Sequence, residues 1–337
     1  MDGEMRERVL VAMSGGVDSS VAALLLRDAG YDATGVTMKL FDNEVAGAGG
    51  ACVVGESTCC SQSDVEDARQ VAFGLGLEHF TFNFTGTFGC EVIDRFCDAY
   101  LRGRTPNPCI DCNRYLKFAA LQRRRAQLGF DYVATGHYAR RAFNERTGRF
   151  ELRRGLDEAK DQSYVLYHLT QDDLAHMLFP LGELTKPQVR ELAEKHSFGN
   201  AHKAESQDIC FVPDGDYASF IARYMGFGDD AARDDGKEPT VPAAFEPGNI
   251  VDVDGKVLGR HSGLVHYTIG QRKGIGIAAP EPLYVVGKDA GKNVLVVGPR
   301  GELGVREVRA GDVNLISVAE LDKPMRVTAK THYRQRV

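Results

Sequence analysis

Cys109 and Cys112 stand three residues apart in the stretch "TPNPCIDCN", behind Pro106 and Pro108. A CxxC pair is a metal half-site, a redox couple, a source of one nucleophilic thiolate, or an active cysteine beside an idle one. A zinc site usually wants four ligands, and a second well-placed CxxC is missing. A thioredoxin-like couple expects a different fold context. The helical pattern that follows is expected from about Asn113 to Leu128, closed by Gly129. That would put Cys112 at a helix start, where the dipole favours thiolate.

The second chemical signal is "SGGVDSS", Ser14–Ser20. It follows the apolar run Val9–Met13 and opens the helical pattern "VDSSVAALLLRDAG". A glycine-rich turn between a strand and a helix directs backbone N–H groups and the helix dipole at an anion. Ser14, Ser19 and Ser20 add hydroxyl donors. The stretch lacks the Gly-Lys-Ser/Thr ending of a Walker A loop. The plainer alternative is a tight turn with capping serines. Asp18 would suit a magnesium ion carried on phosphates.

These residues need a frame, and the first half of the chain supplies one. Strand patterns at Val9–Met13, Ala33–Leu40, Glu78–Phe84 and "DYVATGHY" alternate with helical patterns at Val17–Gly30, Ser63–Gly76, about Cys90–Leu101 and about Asn113–Leu128. Ser63 with Glu66 fits a capping box. Strand–helix alternation means an α/β fold, a parallel sheet flanked by helices, with ligands at the carboxyl ends of the strands. The Ser-Gly-Gly and Thr-Gly-His turns fall at those ends. The Gly- and Ala-rich stretch from Glu44 to Gly55 reads as a loop. Composition shifts at Gly226–Pro247, and short Gly-punctuated strands follow, among them "MRVTAKTHYRQRV"; Asp254-Gly255 and Ala290–Asn293 are hairpin signals.

The 337 residues are 43% hydrophobic and 26% charged, as in ordinary globular proteins. No apolar run reaches membrane-spanning length, and the charged N-terminus does not read as a signal peptide, so the expected location is the cytoplasm. Eight cysteines fit that compartment as reduced thiols, ligands or catalytic groups. Cys90 and Cys97 lie seven apart and are expected on one buried helical face; Cys52, Cys59 and Cys60 belong to the loop or the helix start after it. A net charge of −6 is a poor global footprint for nucleic acid but leaves room for a local basic patch. Arg123–Arg125, Arg140–Arg141 and Arg149–Arg154 are such clusters, or else solvated faces.

"SGGVDSS" resembles the pyrophosphate-binding loop of the ATP pyrophosphatase (PP-loop) superfamily. "GRTPNPCIDCN", "ATGHYAR", "GLDEAKDQSYVLY", "FPLGELTKPQVRELAE", "ESQDICFV" and "GLVHYTIGQRKGIGI" resemble, in this order, the bacterial tRNA-specific 2-thiouridylase family. The resemblance runs from about Val9 to the last residue. It implies a PP-loop catalytic domain, a small central β-rich domain and a C-terminal β-barrel-like domain, drawn here as 1–211, 212–278 and 279–337, the last incomplete because the family pattern continues further. The implied reaction consumes ATP and replaces the 2-oxygen of the tRNA wobble uridine with sulfur from a donor protein or sulfide.

The resemblance also assigns residues. Ala12, Met13, Ser14, Gly15, Gly16, Val17, Asp18, Ser19, Met38 and Gly136 would bind ATP with Mg2+, although a methionine such as Met38 is as readily plain core. Asn107, Pro108, Cys109, His137, Lys160, Asp161, Gln162, His332 and Tyr333 would meet the tRNA or its base. Cys210 aligns with the sulfur-carrying cysteine and Cys112 with the second catalytic cysteine. A Cys210 persulfide would attack the adenylated base, and Cys112 would then free the thiocarbonyl, leaving a disulfide to be reduced. Cys109 departs from the pattern, because persulfide-type members carry aspartate there. Cys109, Cys112 and Cys210 could converge on a 4Fe-4S cluster whose open iron holds hydrosulfide. Outside the thiouridylase reading stand a PP-loop ligase acting on a small molecule and a truncated tRNA-binding remnant without catalysis.

Overall fold

The computed structural model describes residues 6–40, 62–203, 209–227, 241–331 and 335. The stretch 44–55, Cys52, Cys59, Cys60, His332 and Tyr333 lie outside the described residues. Strands β1 (Arg8–Ala12), β2 (Asp32–Lys39), β3 (His79–Asn83), β4 (Tyr132–Thr135) and β7 (Met177–Leu178) form one parallel sheet in the order β3-β2-β1-β4-β7. β1 is its centre. Side chains alternate across a strand, so Leu10 faces one core cluster while Val9 and Val11 face another. A strand buried on both faces reads as an unbroken apolar run, which is why "VLVA" is so legible. The direction of strand order reverses between β2 and β4, on either side of β1. The crevice at that reversal is where such sheets bind ligands.

Helix α1 (Val17–Asp28) and helix α2 (Gln62–Gly74) follow β1 and β2, with Gly30 at φ 89° turning the chain after α1. Ser63 falls inside α2 rather than at its cap, and Glu66 turns its carboxylate to Arg69 and Gln70 instead. The helix at 85–101 contains a π-helical stretch, Gly89–Ile93. A π turn holds an extra residue and rotates the following face. That rotation separates the two cysteines expected together: Cys97 is buried and Cys90 is exposed.

The helix carrying the CxxC pair begins earlier than its pattern suggested. It runs over 108–128, with a nine-residue π-helical stretch, Cys112–Ala120, and Gly129 closing it at φ 71°. Asn107 caps it by accepting the Cys109 N–H at 3.1 Å, and Pro108 occupies the first turn, where no N–H is needed. Cys109, not Cys112, therefore stands at the helix start, and Cys112 lies one turn inside.

β5 (Ala139–Asn144) and β6 (Arg149–Arg154) make a separate hairpin. The C-terminal half forms a second, four-stranded sheet in the order β10-β11-β8-β9 from β8 (Gly248–Val251), β9 (Val257–His261), β10 (Tyr284–Asp289) and β11 (Val294–Gly298). The turns at Gly255 and Ala290–Asn293 close its two hairpins. Strands from both sides of the expected 278/279 boundary thus hydrogen-bond into one sheet around one core, Ile250, Val285, Leu295 and Val297. The strand expected from Met325 does not form over 325–331; no neighbouring strand pairs with it among the described residues, and Met325 and Val327 are exposed.

The core on the Leu10 face is aromatic. Phe96 packs its ring against Tyr100, Phe211, Tyr217 and Phe220 at centroid distances of 4.9–6.2 Å. Phe96→Ala should cost about 3–5 kcal/mol of unfolding free energy, the usual range for a buried aromatic truncation, read from urea denaturation.

Candidate active site

The turn after β1 is shaped by contacts that only glycine permits. Gly15 has φ 71°, and a Cβ there would sit 2.3 Å from the Asp64 carbonyl oxygen at the start of α2. The loop is otherwise held from within: Ser19 Oγ accepts the Ser14 N–H at 3.1 Å and donates to the Gly16 carbonyl at 3.0 Å. Asn200 Nδ2 donates to the Gly15 carbonyl and to Ser20 Oγ, both at 2.9 Å. Gly16 is the N-cap of α1 and supplies no side-chain cap. The first N–H groups of a twelve-residue helix therefore face the crevice without a side-chain acceptor, an arrangement that suits phosphate oxygens.

Asp18 lies in the first turn of α1. Its carboxylate accepts from Lys186 Nζ at 2.7 and 2.8 Å and from Tyr138 OH at 2.8 Å. Lys186 is only 6% exposed and opens the helix Lys186–Lys195. Gly136, after β4, has no room for a side chain: a Cβ would lie 2.9 Å from the Asp18 carbonyl carbon and the Ser19 nitrogen. Three segments meet on one carboxylate, and a magnesium ion reaching Asp18 would share it with Lys186. Met38 packs in the main core.

Cys112 and Cys210 both pack, partly exposed, against that same core. Phe211 fixes the second of them, its buried ring 5.7 Å from Phe88 and 5.2 Å from Phe96. Cys109 is exposed. Among the described residues, no three His, Cys, Asp or Glu side chains are grouped to hold a metal ion. Between the two cysteines of the helix, Asp111 is pushed up from the usual carboxylate range by burial, against the pull of Arg95 and Arg114.

A family model described as the tRNA methyl transferase HUP domain matches residues 7–214, and one described as the tRNA methyl transferase PRC-barrel domain matches 241–299. The tRNA-specific 2-thiouridylase MnmA of Carboxydothermus hydrogenoformans is 48% identical over 335 residues, 99% of this chain and 86% of that one. MnmA 2 of Caldanaerobacter subterraneus subsp. tengcongensis is 47% identical over 98% of this chain and 85% of its own. The chain belongs to the tRNA-specific 2-thiouridylase family. Among solved structures, NMN synthetase from Francisella tularensis aligns with a TM-score of 0.36 at 18% identity, over 66% of this chain and 70% of that one.

In this member of the family, the end of β4 and the segment after it carry buried polar groups, among them Thr135, His137 and Asp161. His137 Nδ1 is 2.7 Å from Thr135 Oγ1, and burial holds its pKa well below the usual histidine value, with Lys117 and His168 adding to the effect. His168 lies across Phe118 from it, the ring centroids 5.9 and 5.6 Å from that phenyl. Burial, then Arg114, lowers the His168 pKa to about 4. Asp161 turns inward to accept from Gly155 N–H, Ser163 N–H and Ser163 Oγ, and Gln162 Oε1 accepts the Tyr138 N–H at 2.9 Å. Of the basic clusters, Arg141 donates to the Leu174 and Ala175 carbonyls and Arg149 to those of Leu315 and Ile316, so both tie loops together. The thiouridylase motif "FPLGELTKPQVRELAE" contained Lys186, but nothing in its spacing marked it as the partner of Asp18, 168 residues away.

No helix among the described residues is long and apolar enough to cross a membrane. Lys186→Met should lower stability by about 1–3 kcal/mol in urea denaturation, less than for a fully buried pair because Asp18 is one-third exposed. A second expectation concerns acid. His168 is neutral in the fold down to about pH 4, whereas the unfolded chain takes up that proton near 6.5. Stability should therefore fall as pH drops through that window, and His168→Gln should flatten part of the fall, read as urea midpoints against pH. An unchanged slope in the variant would remove His168 as its source.

Proposed function

We propose that this chain is a cytoplasmic, ATP-dependent tRNA 2-thiouridylase. It adenylates the 2-oxygen of the wobble uridine and replaces it with sulfur, yielding 2-thiouridine, AMP and pyrophosphate. The reading rests on one observation above all: two cysteines far apart in sequence, Cys112 and Cys210, pack at the edge of one core. The same sheet presents an uncapped helix start at its crevice. The relatives' names carry the same activity. The cysteine pair favours sulfur transfer over the methyl transfer in the family-model descriptions.

Ser14–Ser19, with Ala12 and Met13 behind them and Gly136 opposite, bind the ATP phosphates. Asp18 reaches the accompanying magnesium, which would draw electron density from the phosphates during adenylation. The adenylated uridine is an electrophile at C2 with AMP as leaving group. The terminal sulfur of a Cys210 persulfide, loaded by a sulfur donor, attacks C2 and AMP departs. The Cys112 thiolate then attacks the Cys210 sulfur, the S–S bond to the substrate breaks, and the thiocarbonyl is released. The resulting Cys112–Cys210 disulfide takes two electrons from a thiol reductant before the next cycle. Sulfur transfer is assigned to Cys112 and Cys210, which both pack against the same core. Asn107 and Lys160 face the tRNA, the buried Pro108 and His137 are assigned to the target base, and Asp161 and Gln162 hold the loop that presents Lys160. The catalytic unit takes in 1–211, and the four-stranded sheet forms the next.

The test is anaerobic turnover with tRNA, ATP and a persulfide donor, following AMP release and the modified nucleoside by mass spectrometry, which separates sulfur for oxygen from an added methyl. Cys112→Ala and Cys210→Ala should each abolish 2-thiouridine, with AMP formation retained. AMP formation on tRNA with no thiolated product in the wild type would overturn the reading. About four irons per chain, lost in Cys109→Ser together with activity, would replace the persulfide route by a cluster.

A further inference from the structure

Arg95 and Arg114 come from different helices, 85–101 and 108–128, and meet at Tyr115. Their guanidinium carbons lie 4.9 and 5.3 Å from the Tyr115 ring centroid. Both arginines are exposed on the outside of this cluster. Each guanidinium carries five N–H donors, yet among the described residues neither donates a hydrogen bond to a protein acceptor. The nearest carboxylate, Asp111, is 3.8 Å from Arg95, an ion pair without a hydrogen bond. This sets them apart from Arg125, Arg141 and Arg149, which commit their N–H groups to backbone carbonyls. Two cations gathered on one ring, with their donors turned outward, form a site for an anion with several acceptor oxygens.

The place of the site identifies the anion. Tyr115 is three residues from Cys112 on the same helix, one turn of about 5.4 Å or less along its axis. Resting on the thiouridylase reading, we propose that Arg95 and Arg114, braced by Tyr115, hold the phosphodiester beside the target uridine while its base is presented to Cys112. Extruding a base from the anticodon stack needs the backbone fixed on at least one side of it. A phosphate there meets a planar fork on each guanidinium, with the Tyr115 ring holding both forks in place.

The experiment uses the full chain and an anticodon stem-loop RNA, with three versions of the RNA: unmodified, and with a neutral methylphosphonate immediately 5′ or 3′ of the target uridine. Binding is measured against salt for the wild type, Arg95→Gln and Arg114→Gln, with melting temperatures checking that the variants are folded. On unmodified RNA each variant should bind several-fold more weakly, and the slope of log affinity against log salt should shrink by about 0.7 for each lost phosphate contact. On one of the two methylphosphonate RNAs the substitutions should have no further effect, because the charge they would meet is gone. Folded variants with wild-type slopes overturn the proposal, as does a full arginine effect on both methylphosphonate RNAs. A defect confined to sulfur delivery by a donor protein would assign the patch to that acidic partner and overturn it equally. A wild type that fails to bind the RNA at all removes the thiouridylase reading itself, an outcome distinct from the others.

Discussion

The carboxylate of Asp18 is the point on which the nucleotide-binding half is assembled. Lys186 and Tyr138 both donate to it, so the start of α1, the segment after β4 and the start of a distant helix are drawn to one place. Lys186 is nearly sealed from water, where an unpaired ammonium would carry several kcal/mol of desolvation. The pair therefore exists only when all three segments are in position. Gly136 completes the constraint from the other side, because β4 can approach the first turn of α1 only without a side chain. The helix start is thereby fixed in the crevice where the strand order reverses, and its N–H groups point at a defined spot rather than into a flexible loop.

The sulfur chemistry depends on a second anchor of a different kind. Cys112 and Cys210 are each carried on a backbone whose neighbouring residues are locked by packing. Phe211 is seated among Phe88, Phe96 and Phe220, and it carries Cys210 with it. Leu116 and Phe118 are buried one turn and more beyond Cys112 and orient that helix. The π-helical stretch Cys112–Ala120 sets which residues face the core. Such stretches hold weaker helix geometry and persist where surrounding contacts require them. Here the requirement comes from both sides: Asn113 donates inward to the Val165 carbonyl, Tyr115 packs against the core, and Arg114 between them is exposed.

How much of this was legible in the sequence follows from the range of each interaction. Strands β1 to β4 and the turn after β1 are local: a doubly buried strand is an apolar run, and glycines mark the turns. The hairpins at Asp254-Gly255 and Ala290–Asn293 are equally local. The π-helical stretches were illegible because a single inserted residue leaves composition unchanged while shifting every later position by part of a turn, which is why Cys90 and Cys97 part company. Asn107 and Pro108 carry the cap-and-proline signature of a helix start, whereas the helical pattern itself becomes legible only from about Asn113. The parallel pairing of β8 with β11 crosses the expected 278/279 boundary and joins strands separated by two others in sequence, a contact that no local pattern encodes. The Asp18–Lys186 pair is longer in range still, and periodicity carries no information about it.

The distribution of charge reconciles an acidic chain with an RNA substrate. A net charge of −6 repels a polyanion at long range, but screening confines that repulsion to about 8–10 Å at physiological salt. Within that distance the local arrangement decides. Many of the arginines that look basic in sequence are neutralised by carboxylates or by backbone carbonyls, as Arg140 is by Glu183 and the Arg154 carbonyl. Near the cysteine helix the positive charges act together: Arg95 and Arg114 pull the Asp111 pKa down, Arg114 that of His168, and Lys117 that of His137. Asp111, His168 and His137 thus lie within one positive field. A chain that is acidic overall and cationic at one spot binds a polyanion weakly everywhere else, so specificity comes from placing few charges where the reacting base must be, rather than from many charges spread over the surface.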